Sequence, residues 1–307
     1  MKPNREINVL GISMGSSKRD HSISINLLDY KINIKRQGTD GDFKKAIKLY
    51  IENDGKVDAF GVGGTEFYLF VGNKKYFFRD QKEILKTVKK SKIGDGNGVK
   101  HILEKRVVDS LEDYGIDFRE KKIFHICGMA RYSLVQALAD KGGRVSFGDL
   151  ISSMGIPVPI RKMTTLKIMA IIFLPIVTKM PFKWFYPLGE EQDSFNTGRS
   201  IKLLENADII AGDFLFIKKS LPNKLHGKII ITNTTTADDV KELKKRGLNI
   251  LVTSTPRYDG RSFGTNIIEA MVLSMINKPQ SEITEKDVIE MIDQIPIKPN
   301  IELLNSV

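Results

Sequence analysis

Ile123-Phe124-His125-Ile126-Cys127-Gly128-Met129-Ala130-Arg131-Tyr132-Ser133, together with Arg144-Val145-Ser146-Phe147-Gly148-Asp149 a little further on, is the passage that decides the fold. A short apolar run ends in a glycine turn, residues 133–141 carry apolar side chains at helical spacing, and a second apolar run ends in an acid. Strand-like runs return at 209–211, 228–232 and 249–253, with helical spacing at 237–246 and 266–276. Strands that alternate with helices in this way predict a parallel sheet covered on both faces. Residues 118–307 therefore read as a doubly wound, Rossmann-like domain with an apolar insertion at 160–190. Thr284 with Asp287 resembles a capping box for a last helix over 285–293, which is expected to pack back across the interdomain side.

Outward from this centre, residues 1–117 read as a separate α/β substrate domain. Short strands and helices alternate up to Val62, Gly72-Asn73 turns a hairpin, and the glycine-dense stretch 93–100 leads into a helix over 101–114. The 307 residues agree with about two domains. With 41% hydrophobic and 28% charged residues the composition is that of a globular chain, which excludes disorder and a polytopic membrane protein. One cysteine, Cys127, allows no internal disulfide, and the polar start carries no apolar signal region, so cytoplasmic residence is the expectation. The net charge of +11 favours anionic partners, but no nucleic-acid-binding motif accompanies it, and the four histidines and one cysteine have no metal-ligand spacing.

The turn carries the first chemical expectation. A dinucleotide site needs a tight turn at a helix start to meet the pyrophosphate, and an acid about 20 residues on to meet the ribose. Gly128, Ala130, Arg131, Tyr132 and Ser133 would form that turn and Asp149 the acid, with a structural strand-turn-helix as the alternative, because Ala130 and Ser133 replace two glycines of the usual motif. A carboxylate at position 149 repels a 2′-phosphate, so NAD is favoured over NADP. Gly212, Asp213, Asn233 and Thr234 follow later strands, where they would meet the nicotinamide half or serve as turns and helix caps.

Asp95, Asn97 and Lys100 bring a carboxylate, an amide and an ammonium into one segment. Lys100, with its pKa depressed, is the candidate proton-transfer group with Asp95 beside it, and Asn97 would bind substrate. Ser16, Arg19 and Arg79 are the candidate holders of an anionic substrate group. His125, inside an apolar strand, reads as a satisfied core residue. The uncharged run 168–177 has basic neighbours and is interrupted by Pro175, too short to span a bilayer. Residues 162–188 offer a peripheral membrane or lipid contact, a buried insertion, or the contact of a homodimer.

Met14-Gly15-Ser16-Ser17-Lys18-Arg19-Asp20-His21, Gly38-Thr39-Asp40-Gly41-Asp42, Asp58-Ala59-Phe60-Gly61-Val62-Gly63-Gly64, Leu174-Pro175-Ile176-Val177-Thr178 and Gly260-Arg261-Ser262-Phe263-Gly264-Thr265-Asn266 resemble the bacterial quinate 5-dehydrogenase family. The resemblance implies a substrate domain followed by a Rossmann domain, as in shikimate dehydrogenases, and an NAD(P)-dependent oxidoreductase acting on the alcohol or carbonyl of a small anionic substrate. A fainter likeness of Gly63-Gly64-Thr65, the 94–100 loop and Glu269-Ala270-Met271 to acyl-carrier-protein reductases implies an acyl-thioester or lipid reductase instead. A non-catalytic, nucleotide-sensing Rossmann protein is the alternative from a different class.

Overall fold

The computed structural model describes residues 5–72, 74–79, 81–156, 158–180, 201–258 and 261–306. The chain is a two-lobed α/β protein. The first lobe begins with β1 (Arg5–Ser13), β2 (His21–Leu27), β3 (Tyr30–Gly38), α1 (Phe43–Asn53) and β4 (Ala59–Gly63). It continues through the hairpin β5 (Tyr68–Val71) and β6 (Lys74–Phe77), then α2 (Lys82–Thr87) and β7 (Lys92–Gly94). Its main sheet has the order β2-β3-β1-β4-β7, parallel apart from the edge strand β2.

A long helix, α3 (Asn97–Asp113), leads to the second lobe: β8 (Lys122–His125), α4 (Tyr132–Asp140), β9 (Arg144–Phe147), α5 (Asp149–Met154), α6 (Met163–Val177), α7 (Ile201–Glu205), β10 (Ile209–Ala211), α8 (Phe214–Lys219), β11 (Ile229–Thr232), α9 (Ala237–Lys245) and β12 (Ile250–Thr253). After the small ribbon β13 (Arg257–Tyr258) and β14 (Arg261–Ser262) come α10 (Thr265–Met275), α11 (Glu285–Gln294) and β15 (Asn300–Leu303). The second sheet runs β15-β12-β11-β10-β8-β9, parallel except for β15.

Strands of a sheet buried on both faces are apolar at every position, because alternate side chains enter different cores. Along β10, β11 and β12 the residues Ile209, Ile229 and Ile250 enter one core, whereas Ile210, Ile230 and Leu251 enter the other. In the same way Ile7 and Val9 of β1 face one side and Leu10 and Ile12 the other. Thr236 caps α9 and Thr284 caps α11 in reciprocal capping boxes with Asp239 and Asp287.

The core of the first lobe is not built from residues 1–117 alone. Ile267, Ile268, Met271, Val272 and Met275 of α10 and Val288 and Ile292 of α11 pack against Ile7, Val9, Ile32 and Ile34. Burying one such side chain contributes roughly 1.5–3 kcal/mol. The chain passes between the lobes three times: along α3, between β12 and α10, and from Ile297 into β15. Helix α3 belongs to both, since Val99 and Leu103 lie in the first core and Val107, Val108 and Leu111 in a core of the second. It also begins earlier than its spacing predicts, at Asn97, so that the expected flexible stretch 93–100 shrinks to Asp95 and Gly96 between β7 and α3.

Candidate functional site

The carboxyl ends of strands from both sheets converge on one cleft of about 260 Å³. In open α/β sheets this is the end at which the chain turns into loops and helix starts, and ligands gather there. The first lobe contributes Ser13 from the end of β1, Arg19 and His21, Arg36 from β3, Thr65 and Glu66 after β4, and Asp95 after β7. From the second come Asp213 after β10, Lys218, residues 233–236 after β11, and Asp239. Residues 262–267, from β14 into the start of α10, complete the lining.

Most of these groups hold one another. Arg36 donates through Nη1 to Asp20 Oδ1 at 2.7 Å and to the Ser16 carbonyl at 3.0 Å. Lys218 Nζ lies 3.1 Å from Asp239 Oδ1, and Asn233 Nδ2 donates to Asp213 Oδ2 at 2.7 Å. His21 stacks on Phe263, with 5.8 Å between ring centres. Asp95 accepts from the Phe67 N–H at 2.6 Å and from the Asn97 N–H and Nδ2 at 3.0 and 2.7 Å. Against this, Thr65 Oγ1 and Glu66 Oε2 are buried without a hydrogen-bond partner among the described residues, and both residues line the cleft. A buried polar atom left unpaired in the protein is where a ligand's hydrogen bond gains most.

Behind the cleft floor lies a row of buried charges. Glu66 Oε1 pairs with Lys100, and Arg131 Nε donates to Glu104 Oε1 at 2.8 Å. Burial alone pulls the Lys100 ammonium down, but Glu66 and then Glu104 outweigh it and the net shift is upward. Burial raises the Glu66 carboxyl in spite of Lys100. Beside this row, burial and then Asp95 push Glu269 of α10 up to about 8. Glu269 accepts the Gly96 N–H at 2.5 Å and packs so tightly on Gly98 that a Cβ there would lie 2.3 Å from its Oε1. Gly96 itself has φ +99°, a left-handed conformation, at the start of α3. The glycine density of this segment thus serves the approach of α10.

These placements correct several expectations. Lys100 is a buried, ion-paired residue of α3 with a raised pKa, not a loop lysine with a depressed one. Asn97 is spent on Asp95 and the Tyr68 carbonyl, and Ser16 is buried as a cap that accepts the Lys18 N–H. Arg79 is exposed and lies outside the cleft lining. Arg131 is buried and paired with Glu104.

In the expected dinucleotide turn, Asp149 folds back onto the backbone just before α4. Asp149 accepts the N–H groups of Gly128 at 2.9 Å and Met129 at 2.8 Å, in the turn ahead of α4, whose first helical residue is Tyr132. The Asp149 side chain is 7% exposed, and burial lifts its pKa to about 6. Ala130 and Asp149 border an apolar pocket against α6, while Tyr132 and Ser133 border a shallow pocket with His101. Gly212, at φ +132°, packs on Ile126 and shapes the bend before Asp213. His125 is fully buried, as expected of a core residue, yet neither ring nitrogen has a partner among the described residues, and burial drives its pKa down to about 3.

Of the residues singled out in the sequence, the cleft therefore gathers Arg19, Asp95, Asp213, Asn233 and Thr234. Sequence reasoning assigned no site role to Thr65, Glu66, Lys218 or Ser262, although Thr65 and Ser262 stand within the quoted motifs. The signal for the first two was their position, directly after the apolar run that Gly63-Gly64 closes.

Fold and cleft together define a two-lobed α/β protein whose strand ends from both lobes meet over a polar site. The chain belongs to the family described as Domain of unknown function (DUF8754), whose model matches residues 98–304, and the model described as Domain of unknown function (DUF8753) matches residues 8–95. No curated protein matches the chain. Among solved structures it is similar to the periplasmic binding protein component of the arabinose ABC transporter from Shewanella sp. ANA-3, at 10% identity over 94% of this chain and 95% of that one, with a TM-score of 0.38. It is also similar to the NAD-dependent malic enzyme of Thermotoga maritima, at 11% identity over 94% and 83% with a TM-score of 0.36. The methylenetetrahydrofolate dehydrogenase-cyclohydrolase of Trypanosoma brucei gives 10% identity over 94% and 86%, with a TM-score of 0.32. Likeness at this level bears on neither ligand nor reaction.

Proposed function

We propose that the cleft binds a small, neutral, polyhydroxylated molecule, a sugar or a cyclitol, held between the two lobes. The observation that carries this reading is the pair of unpartnered buried oxygens, Thr65 Oγ1 and Glu66 Oε2, in a cleft whose charges are otherwise balanced. A carboxylate accepts from ligand hydroxyls and a threonine hydroxyl both donates and accepts, which suits adjacent hydroxyl groups. The lining carries three cations, Arg19, Arg36 and Lys218, and four carboxylates, Glu66, Asp95, Asp213 and Asp239, so a strongly anionic ligand finds no surplus of positive charge. A volume of about 260 Å³ lies just below the range of about 300–1,000 Å³ usual for drug-sized ligands, which fits a single ring.

This reading keeps the alcohol chemistry of a quinate-like substrate and departs from its carboxylate. It invokes no hydride transfer, and it leaves Lys100 in its ion pair with Glu66. The test is calorimetric titration with neutral pentoses, hexoses and inositols, beside quinate, shikimate, NAD and NADP. A neutral polyol should bind, and Thr65→Val should weaken it about tenfold, the value of one hydrogen bond to a buried group. Tighter binding of quinate, shikimate or NAD than of every neutral polyol, unaffected by Thr65→Val, would overturn the proposal.

A further inference from the structure

We infer that α6 is a docking surface for an anionic membrane, lying in the headgroup region with its outer face in the lipid. Helix α6 is amphipathic in an inverted sense. Leu166, Ala170 and Leu174 are buried against the hairpin and α4, which accounts for one face. The opposite face, where a soluble helix carries charges, presents Ile168, Ile171, Ile172 and Ile176, each more than half exposed, with Phe173 beside them. Met154 is exposed next to this face and shares an apolar pocket with Phe173. A contiguous apolar surface of this kind marks an interaction site.

Charge identifies the occupant. Between Asp149 and Glu190 the sequence has forty residues without an acid, where the chain average of 37 acids in 307 residues would give about five. The same stretch holds five bases, of which Arg161, Lys162, Lys167 and Lys179 are exposed on or beside α6. Apolar side chains flanked along the chain by bases and by no acid, with Asp149 at the neighbouring pocket only 7% exposed, complement a bilayer of anionic lipids, in which each nearby cation adds to the attraction. The helix has 15 residues and is about 22 Å long, against a hydrocarbon core of about 30 Å, so it lies in the interface and does not span. Among the described residues no helix is long and apolar enough to cross a membrane.

The test is co-sedimentation of the full chain with vesicles of phosphatidylcholine alone and of phosphatidylcholine with phosphatidylglycerol. Binding should require phosphatidylglycerol, weaken as salt is raised, and fall about tenfold in Ile172→Asp, since one apolar side chain is withheld from the lipid. Lys162→Glu with Lys179→Glu should weaken it independently. These positions are exposed, so the variants should fold, and unchanged melting temperatures would verify it. No sedimentation with the anionic vesicles, equal sedimentation with neutral ones, or indifference to Ile172→Asp would each overturn the inference. So would a concentration-dependent dimer that Ile172→Asp abolishes while vesicles bind nothing, because the face would then belong to a second copy.

Discussion

Removing Glu104 should cost far more than removing Glu104 and Arg131 together. Glu104 is 0% and Arg131 4% exposed, and Arg131 Nε donates to Glu104 Oε1 at 2.8 Å. In Glu104→Ala the guanidinium stays buried and loses its main counter-charge, because the neighbouring Glu66 is already committed to Lys100. A broken buried pair of this kind costs about 3–5 kcal/mol, a large part of the roughly 5–15 kcal/mol that holds a domain folded. Replacing both partners by methionine fills similar volume with apolar atoms and removes the uncompensated charge, so the double variant should be neutral or more stable by about 1–4 kcal/mol. Urea denaturation at pH 7, followed by circular dichroism on wild type, both single variants and the double variant, gives the cycle. If Glu104→Ala cost less than about 1 kcal/mol, the value of an exposed pair, and the two single effects simply added, the row of buried charges would not have the energetic role assigned to it.

Glu269 should make the protein less stable as the solution turns alkaline. Its carboxyl, raised by burial and Asp95 from 4.5 to about 8, keeps a proton in the folded protein through neutral pH that the unfolded chain has released. The stabilisation is complete below about 4.5 and is lost as pH rises through about 8. Melting temperatures should fall between pH 6 and pH 9, and Glu269→Gln should flatten that fall; an unchanged slope in the variant would remove Glu269 as its source. Gly96→Ala combines φ +99° with a Cβ 2.4 Å from Thr265 Oγ1, so it should cost at least about 1–3 kcal/mol in chemical denaturation. A neutral result there would mean that the approach of α10 to the start of α3 is looser than it stands.

The second sheet was legible because buried parallel strands are written as short apolar runs, and Ile209–Ala211, Ile229–Thr232 and Ile250–Thr253 stand out between polar segments. The caps at Asp213, Thr236 and Thr284 were equally readable, since they depend on residues only two or three positions away. What could not be read was whatever depends on distant partners. The glycines at 94, 96 and 98 look like a catalytic loop until Glu269, far along the chain, is found against them. Lys100 looks like a misplaced cation at a helix start until Glu66 arrives from the end of β4. Asp149 has the spacing of a ribose acid from Gly128, and the same spacing lets it fold back onto the Gly128 and Met129 amides. Sequence distance cannot separate those two outcomes, because both need a carboxylate at the end of the next strand.

The threefold passage between the lobes also constrains how the protein is made. When residues 5–95 leave the ribosome they contain the main sheet of the first lobe, but Ile268, Met271 and Val272, which seal one face of it, lie some 170 residues further on. At about 5–20 residues per second that face waits roughly 10–35 s for its cover during synthesis. The second lobe has its strands β8 to β12 complete before the first has α10 and α11. A chain cut after residue 117 therefore carries a sheet with an uncovered apolar face, and such a fragment should need a chaperone or aggregate rather than stand as a free domain.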